Sequence, residues 1–131
     1  METIGGGCLC GAIRLELTAA PVRTGVCHCL DCRKNHGALF RPFAIFPGEA
    51  VKVHGEPAVF DSAPNVHRYF CGRCGSPLLS RYDETTWVEI YVGALDHANV
   101  TPPPTYELWT IRREAWLPPF PGVKSYERNR E

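Results

Sequence analysis

The stretch Cys27-His28-Cys29-Leu30-Asp31-Cys32 sets three thiols within six residues and is followed by the cations Arg33 and Lys34. In an extended segment alternate side chains share a face, so Cys27 and Cys29 point one way and a following turn swings Cys32 beside them. Three converging thiolates on a zinc ion leave one tetrahedral position for a ligand, which separates a working metal from a scaffold metal. Such a centre carries a net charge of about −1 and is a weaker Lewis acid than zinc held by neutral histidines. It is suited to holding an incoming thiolate, or to steadying a small carbonyl or hemithioacetal oxygen, more than to acidifying water.

The chain holds seven cysteines. The number is odd, no secretory signal precedes them, and they cluster in C-x-C and C-x2-C spacings, so metal binding is expected rather than disulfides. Four and three is the natural division. Cys8 and Cys10 with Cys71 and Cys74 make a closed four-thiolate zinc site, joining segments far apart in the chain, and Cys27, Cys29 and Cys32 remain for an open one. In another division His36 or His28 supplies a fourth ligand to the second group, and both zincs are then structural. In an extended segment His28 faces away from its flanking cysteines. That leaves it as the candidate catalytic proton carrier, a hydrogen-bond donor behind the ligands, or plain packing. Asp31 is expected to cap the turn. His54, His67 and His97 lie outside the clusters and are read as structural or exposed.

The elements that position these groups read as short strands and turns. Ile13, Leu15 and Leu17 alternate with Arg14 and Glu16, the period of a half-buried strand. Val22 to Val26 runs as a strand into the three thiols, and Asp31 to His36 is a helical turn stopped by Gly37. Ala38 to Phe46 is apolar and aromatic, and its Pro42 predicts an edge strand or a bulge. Ala50–His54 and Ala58–Phe60 flank a turn and read as a hairpin, while Gly5-Gly6-Gly7 reads as a flexible entry. Val66 to Phe70 leads into Cys71-Gly72-Arg73-Cys74-Gly75, a zinc knuckle whose glycines let amides face the sulfurs. Pro77 to Ser80, Trp87 to Val92 and Tyr106 to Ile111 complete the strands. The aromatics Phe40, Phe43, Phe46, Trp87, Tyr91, Trp109 and Trp116 are assigned to the core, one or two of them to a pocket wall.

With 131 residues, 12 of them glycine and 12 proline, the chain suits one turn-rich, mainly β domain. Residues 1–117 are expected to form it, and 118–131, with their prolines and charges, an extended C-terminal tail. Lys and Arg total 14, as do Asp and Glu, and no basic block occurs. Electrostatics therefore offer no case for nucleic acid. No apolar stretch approaches a membrane span, and a soluble cytoplasmic protein is the default expectation.

Residues 7–17, 27–38, 67–78 and 92–96 together resemble the glutathione-dependent formaldehyde-activating enzyme family, also called Gfa-like or centromere-protein-V-like. The carrying motifs are Cys8-Leu9-Cys10-Gly11, Cys27-His28-Cys29-Leu30-Asp31-Cys32-Arg33-Lys34 and Phe70-Cys71-Gly72-Arg73-Cys74-Gly75-Ser76. The resemblance implies a mainly β, Mss4-like fold of small antiparallel sheets stapled by zinc. It implies two zincs per chain, structural on Cys8, Cys10, Cys71 and Cys74 and catalytic on Cys27, Cys29 and Cys32. The implied activity is a carbon–sulfur lyase forming or breaking an S-hydroxyalkyl adduct between a small thiol such as glutathione and a small aldehyde such as formaldehyde. Arg33 and Lys34 are then candidates for the carboxylates of that thiol. Nucleic acid and membrane are not expected as partners, and a homodimer is allowed. The rival reading is a non-catalytic zinc-binding module for protein interaction.

Overall fold

The structure, a computed structural model, describes residues 2–130. Met1 and Glu131, the outermost residues of the expected domain and tail, lie outside them. The strands are β1 (Ile4–Gly7), β2 (Arg14–Leu17), β3 (Arg23–Cys27), β4 (Arg41–Phe46), β5 (Val51–His54), β6 (Ala58–Ala63), β7 (Val66–Phe70), β8 (Pro77–Tyr82), β9 (Val88–Tyr91), β10 (Tyr106–Leu108) and β11 (Lys124–Ser125). One α-helix, α1 (Leu30–His36), interrupts them between β3 and β4. β1, β2 and β5 form a three-stranded sheet; the other eight strands follow the order β11-β10-β3-β4-β9-β8-β7-β6. The fold is thus mainly β, as expected. Pairing is antiparallel except where β10 runs parallel to β3 and to β11.

Leu15 and Leu17 face inward from β2 while Arg14 and Glu16 face out, and they join Phe46, Leu78, Leu79 and Ile90 in a core shared by both sheets. Each such side chain, when fully enclosed, contributes about 1.5–3 kcal/mol. A second cluster gathers Cys27, Cys32, Phe43, Ile45 and Tyr106 at the end of β3. Gly25 lets that cluster close, because a Cβ there would lie 2.8 Å from the Phe43 ring and 2.9 Å from the Tyr106 ring.

Several local expectations are corrected by long-range pairing. The glycine run is a strand: Gly6 bridges to Leu95, and a side chain on it would collide with the Ala94 carbonyl at 2.7 Å. β4 is central rather than an edge, and Pro42 is accommodated because it lies one residue before the β9 ladder begins at Phe43. β5 and β6 do not form a hairpin; β5 pairs with β2 and β6 with β7. β10 stops at Leu108 because Trp109 takes a left-handed conformation, φ 56° and ψ 41°. The C-terminal segment is tied to the sheet by β11 and by Tyr126, whose N–H donates to the Glu107 carbonyl at 2.9 Å.

Candidate metal centres

The four-thiol group is built from two loops. Cys8 and Cys10 lie between β1 and β2 of the smaller sheet, Cys71 and Cys74 in the turn between β7 and β8 of the larger one, so the group stitches the sheets together. Its sulfurs all lie within 4.8 Å of one another, with Cys8 to Cys10 at 3.6 Å and Cys10 to Cys71 at 3.8 Å. A tetrahedron with zinc–sulfur bonds of about 2.3 Å has edges of about 3.8 Å. Backbone amides point at these sulfurs: Ile13 N–H donates to Cys8 Sγ at 3.2 Å, and Arg73 and Cys74 N–H to Cys71 Sγ at 3.3 and 3.4 Å. The Ser76 hydroxyl beside Cys74, at 3.2 Å, leads the contacts that draw its thiol down to about 5.

The three-thiol group forms where β3 becomes α1. Cys27 is the last residue of β3, Cys29 is the helix N-cap, and Cys32 occupies the first turn. The Cys29 sulfur accepts the Cys32 N–H at 3.3 Å, so the cap is this cysteine and not Asp31, which is exposed in the first turn. Gly37, at φ 62°, ends the helix as expected. The three sulfurs lie within 4.8 Å of one another, and among the described residues no histidine or carboxylate joins them. Hydrogen bonds from the Cys27 and Cys32 thiols pull Cys29 down to about 2, and the same contacts push Cys27 up. Three sulfurs crowded this closely are an arrangement that a cation relieves.

Two buried arginines surround this group. Arg68, on β7, directs Nη1 at Cys32 Sγ from 3.9 Å and Nε at the Ser62 hydroxyl from 2.9 Å. Arg41, on β4, is ion-paired with Glu89 of β9 and lies 4.6 Å from the Tyr91 ring centroid. A divalent ion on three thiolates would carry one net negative charge, while Arg41, Arg68 and Glu89 together carry one net positive charge. Among the described residues, the buried side-chain polar atoms without a hydrogen-bond partner are His28 Nδ1, Asn35 Oδ1, His36 Nε2 and Arg41 Nε and Nη1. All belong to the stretch from 28 to 41 that carries these thiols. Orphaned polar atoms, crowded sulfurs and balancing charge all fit a bound metal with a ligand beside it.

The remaining expected site residues are placed as follows. His28 is fully enclosed, its Nε2 facing Glu107 Oε1 at 2.8 Å. His36 packs against the edge of Tyr91 at 4.5 Å, and burial followed by the nearby Arg41 charge lowers its pKa to about 4. The Arg33 guanidinium is engaged by Glu114 at 2.9 Å and the Arg112 carbonyl at 3.2 Å, whereas Lys34 is exposed. A cavity of about 730 Å³ is lined by His36, Phe40, Arg41 and Tyr91 on one side and by Cys8 and Ser76 on another. Sequence reasoning missed Arg41, Arg68, Glu89 and Glu107. The available signal was a lone charge inside each of two apolar strands, Arg41 in β4 and Glu89 in β9, since buried charges require partners.

A family model described as glutathione-dependent formaldehyde-activating enzyme matches residues 3–112. A Podospora anserina protein provisionally named glutathione-dependent formaldehyde-activating enzyme is 30% identical over 82 residues, covering 59% of this chain and 38% of that protein. An Aspergillus oryzae protein with the same provisional name is 28% identical over 81 residues, covering 58% of this chain and 42% of its own length. The chain thus spans about two-fifths of the length of these curated relatives. The crystal structure of a Rhodobacter sphaeroides protein superposes with a TM-score of 0.60 at 20% identity, covering 74% of this chain and 92% of that one, a likeness of fold. With 110 consecutive residues matched, both thiol groups among them, the chain belongs to the glutathione-dependent formaldehyde-activating enzyme family.

Proposed function

We propose that the protein is a zinc-dependent enzyme of the carbon–sulfur lyase type, forming or breaking an S-hydroxyalkyl thiol adduct from glutathione and formaldehyde or a related small aldehyde. The observation that supports this reading is the convergence of Cys27, Cys29 and Cys32 beside buried cationic groups, with no histidine or carboxylate of the described residues among them. Zinc bound there would supply a soft Lewis acid that favours a thiolate over a thiol.

The chain's own residues then divide the work. Cys8, Cys10, Cys71 and Cys74 hold a structural ion that fixes one sheet to the other, and Cys27, Cys29 and Cys32 hold the reactive one. Arg41 and Arg68 offset the thiolate charge, and Arg41, which also lines the cavity beside His36 and Tyr91, links that cavity to the three-thiol group, whose own sulfurs do not line it. Arg33 and Lys34 line a separate hollow of about 520 Å³ against α1 and are assigned to the carboxylates of the thiol, with Arg33 exchanging its contact to Glu114. The enclosed His28 holds the cysteine loop in place rather than ferrying protons. In the reaction the thiol loses its proton and sulfur attacks the carbonyl carbon, forming the C–S bond. The π pair moves to oxygen, which takes up a proton, so RSH and an aldehyde give the hydroxyalkyl thioether with no change of redox state.

Among the described residues no helix is long and apolar enough to cross a membrane, and a reducing compartment such as the cytoplasm is the setting this reading needs. The test is zinc content per chain together with glutathione-dependent formaldehyde loss for wild type and Cys29→Ser. Two zincs and activity are expected for wild type, one zinc and no activity for the variant. Activity that persists after the second zinc is lost would overturn the assignment.

A further inference from the structure

Glu107, in β10, is a fully enclosed carboxylate that lies outside the charge network of Arg41, Arg68 and Glu89. Its Oε1 accepts the Nε2–H of His28 at 2.8 Å, and His28 stands between two of the three clustered cysteines. The His28 backbone N–H donates to the Leu108 carbonyl at 3.0 Å. Residues beyond Cys27 have left the β3–β4 ladder, whose last pair is Cys27 with Arg41. From that point the loop carrying Cys29 is held by β10, through the Glu107 side chain and the Leu108 backbone.

The other contacts of Glu107 come from residues beyond the family match, which ends at 112. Oε2 accepts the Phe120 N–H at 3.2 Å, and Arg113 Nη1 lies 3.5 Å from Oε1. The Phe120 ring meets Phe40 edge-on at 5.3 Å, and Phe40 lies 5.7 Å from the His28 ring, so the same segment covers both ends of the pair. An enclosed carboxylate sheltered this way has one fixed place for its hydrogen-bond partner, which removes rotational freedom from the loop.

We propose that Glu107 is a positioning residue for the three-thiol group, acting through His28, and that the C-terminal segment around Phe120 completes the lock. The inference rests on the proposed function only where it concerns zinc; the placement of the three thiols can be read without metal on them. In reduced full-length chain given one equivalent of zinc, which the closed four-thiol group holds in preference to the three-thiol group, iodoacetamide labelling of each cysteine is followed by mass spectrometry for wild type, Glu107→Gln and Phe120→Ala. Cys27 and Cys29 are expected to label about tenfold faster in Glu107→Gln, the effect of losing about one charge-assisted hydrogen bond, and faster by a smaller factor in Phe120→Ala, which keeps the backbone N–H to Glu107 and removes only the ring against Phe40. Cys8 and Cys71 should keep wild-type rates. In chelator competition the zinc held by the three-thiol group should weaken about tenfold to a hundredfold while the four-thiol zinc is unchanged. Unchanged labelling of Cys27 and Cys29, or parallel acceleration at all seven cysteines, would overturn the proposal. Should Glu107→Gln fail to fold, Glu107→Asp, which keeps the charge and draws the carboxylate back from His28, takes its place under the same criteria. A wild-type chain that takes up a single zinc would overturn the proposed function, and the labelling contrast would still decide this inference.

Discussion

Arg68 and Cys32 meet across the interior, the guanidinium Nη1 3.9 Å from the sulfur although they are 36 residues apart in the chain. A buried guanidinium this close to a ligand sulfur offsets the net negative charge that a divalent ion on three thiolates would carry. Arg68→Met should therefore lower zinc affinity at the three-thiol group by about tenfold while sparing the four-thiol group. Chelator competition on wild type and Arg68→Met reads this, and equal weakening of the two ions would contradict it.

Arg41 and Glu89 form a buried pair between β4 and β9. Removing one partner strands the other, at a cost of about 3–5 kcal/mol, whereas replacing both with apolar residues of similar volume is nearly neutral. Arg41→Met should lower stability by that amount, and the double variant Arg41→Met with Glu89→Leu should recover most of it. Zinc affinity at Cys27, Cys29 and Cys32 should not recover with it if Arg41 offsets thiolate charge. Denaturant unfolding and zinc titration on the same preparations separate the two effects.

His67 is held between two carboxylates, Nδ1 2.7 Å from Asp61 and Nε2 2.7 Å from Asp83. Hydrogen bonds to Asp61 and then Asp83 raise its pKa above the ordinary histidine value. A pKa higher in the folded than in the unfolded chain gives stability that is present below the unfolded value and lost as pH rises through the folded one. The melting-temperature difference between wild type and His67→Gln should be greatest near about pH 5.5 and disappear by about pH 9. A difference independent of pH would show that the ring acts by packing.

Because the four-thiol group joins the two sheets, its loss should unfold more of the molecule than loss of the three-thiol group. Cys71→Ser is expected to lower the melting temperature of zinc-loaded protein by about 10 °C or more. Cys29→Ser should lower it by less than half as much. A strong chelator added to wild type should lower the melting temperature at least as far as Cys71→Ser does, and a larger effect of Cys29→Ser would reverse the assignment of the structural site.

What could be read along the chain was short-range. The C-x-C and C-x2-C spacings constrain where sulfurs can point within a few residues, so the grouping into four and three was legible. So were the strand alternation of β2 and the Gly37 stop of α1, each set by neighbouring residues. Strand order alone decided the rest. It placed Glu107 behind His28, Arg68 beside Cys32 and Glu89 opposite Arg41, turned Gly5–Gly7 into a paired strand, and separated β5 from β6. A side chain's burial and partner depend on which distant strand lies next to it, and neighbouring residues carry no record of that strand until the sheets have assembled.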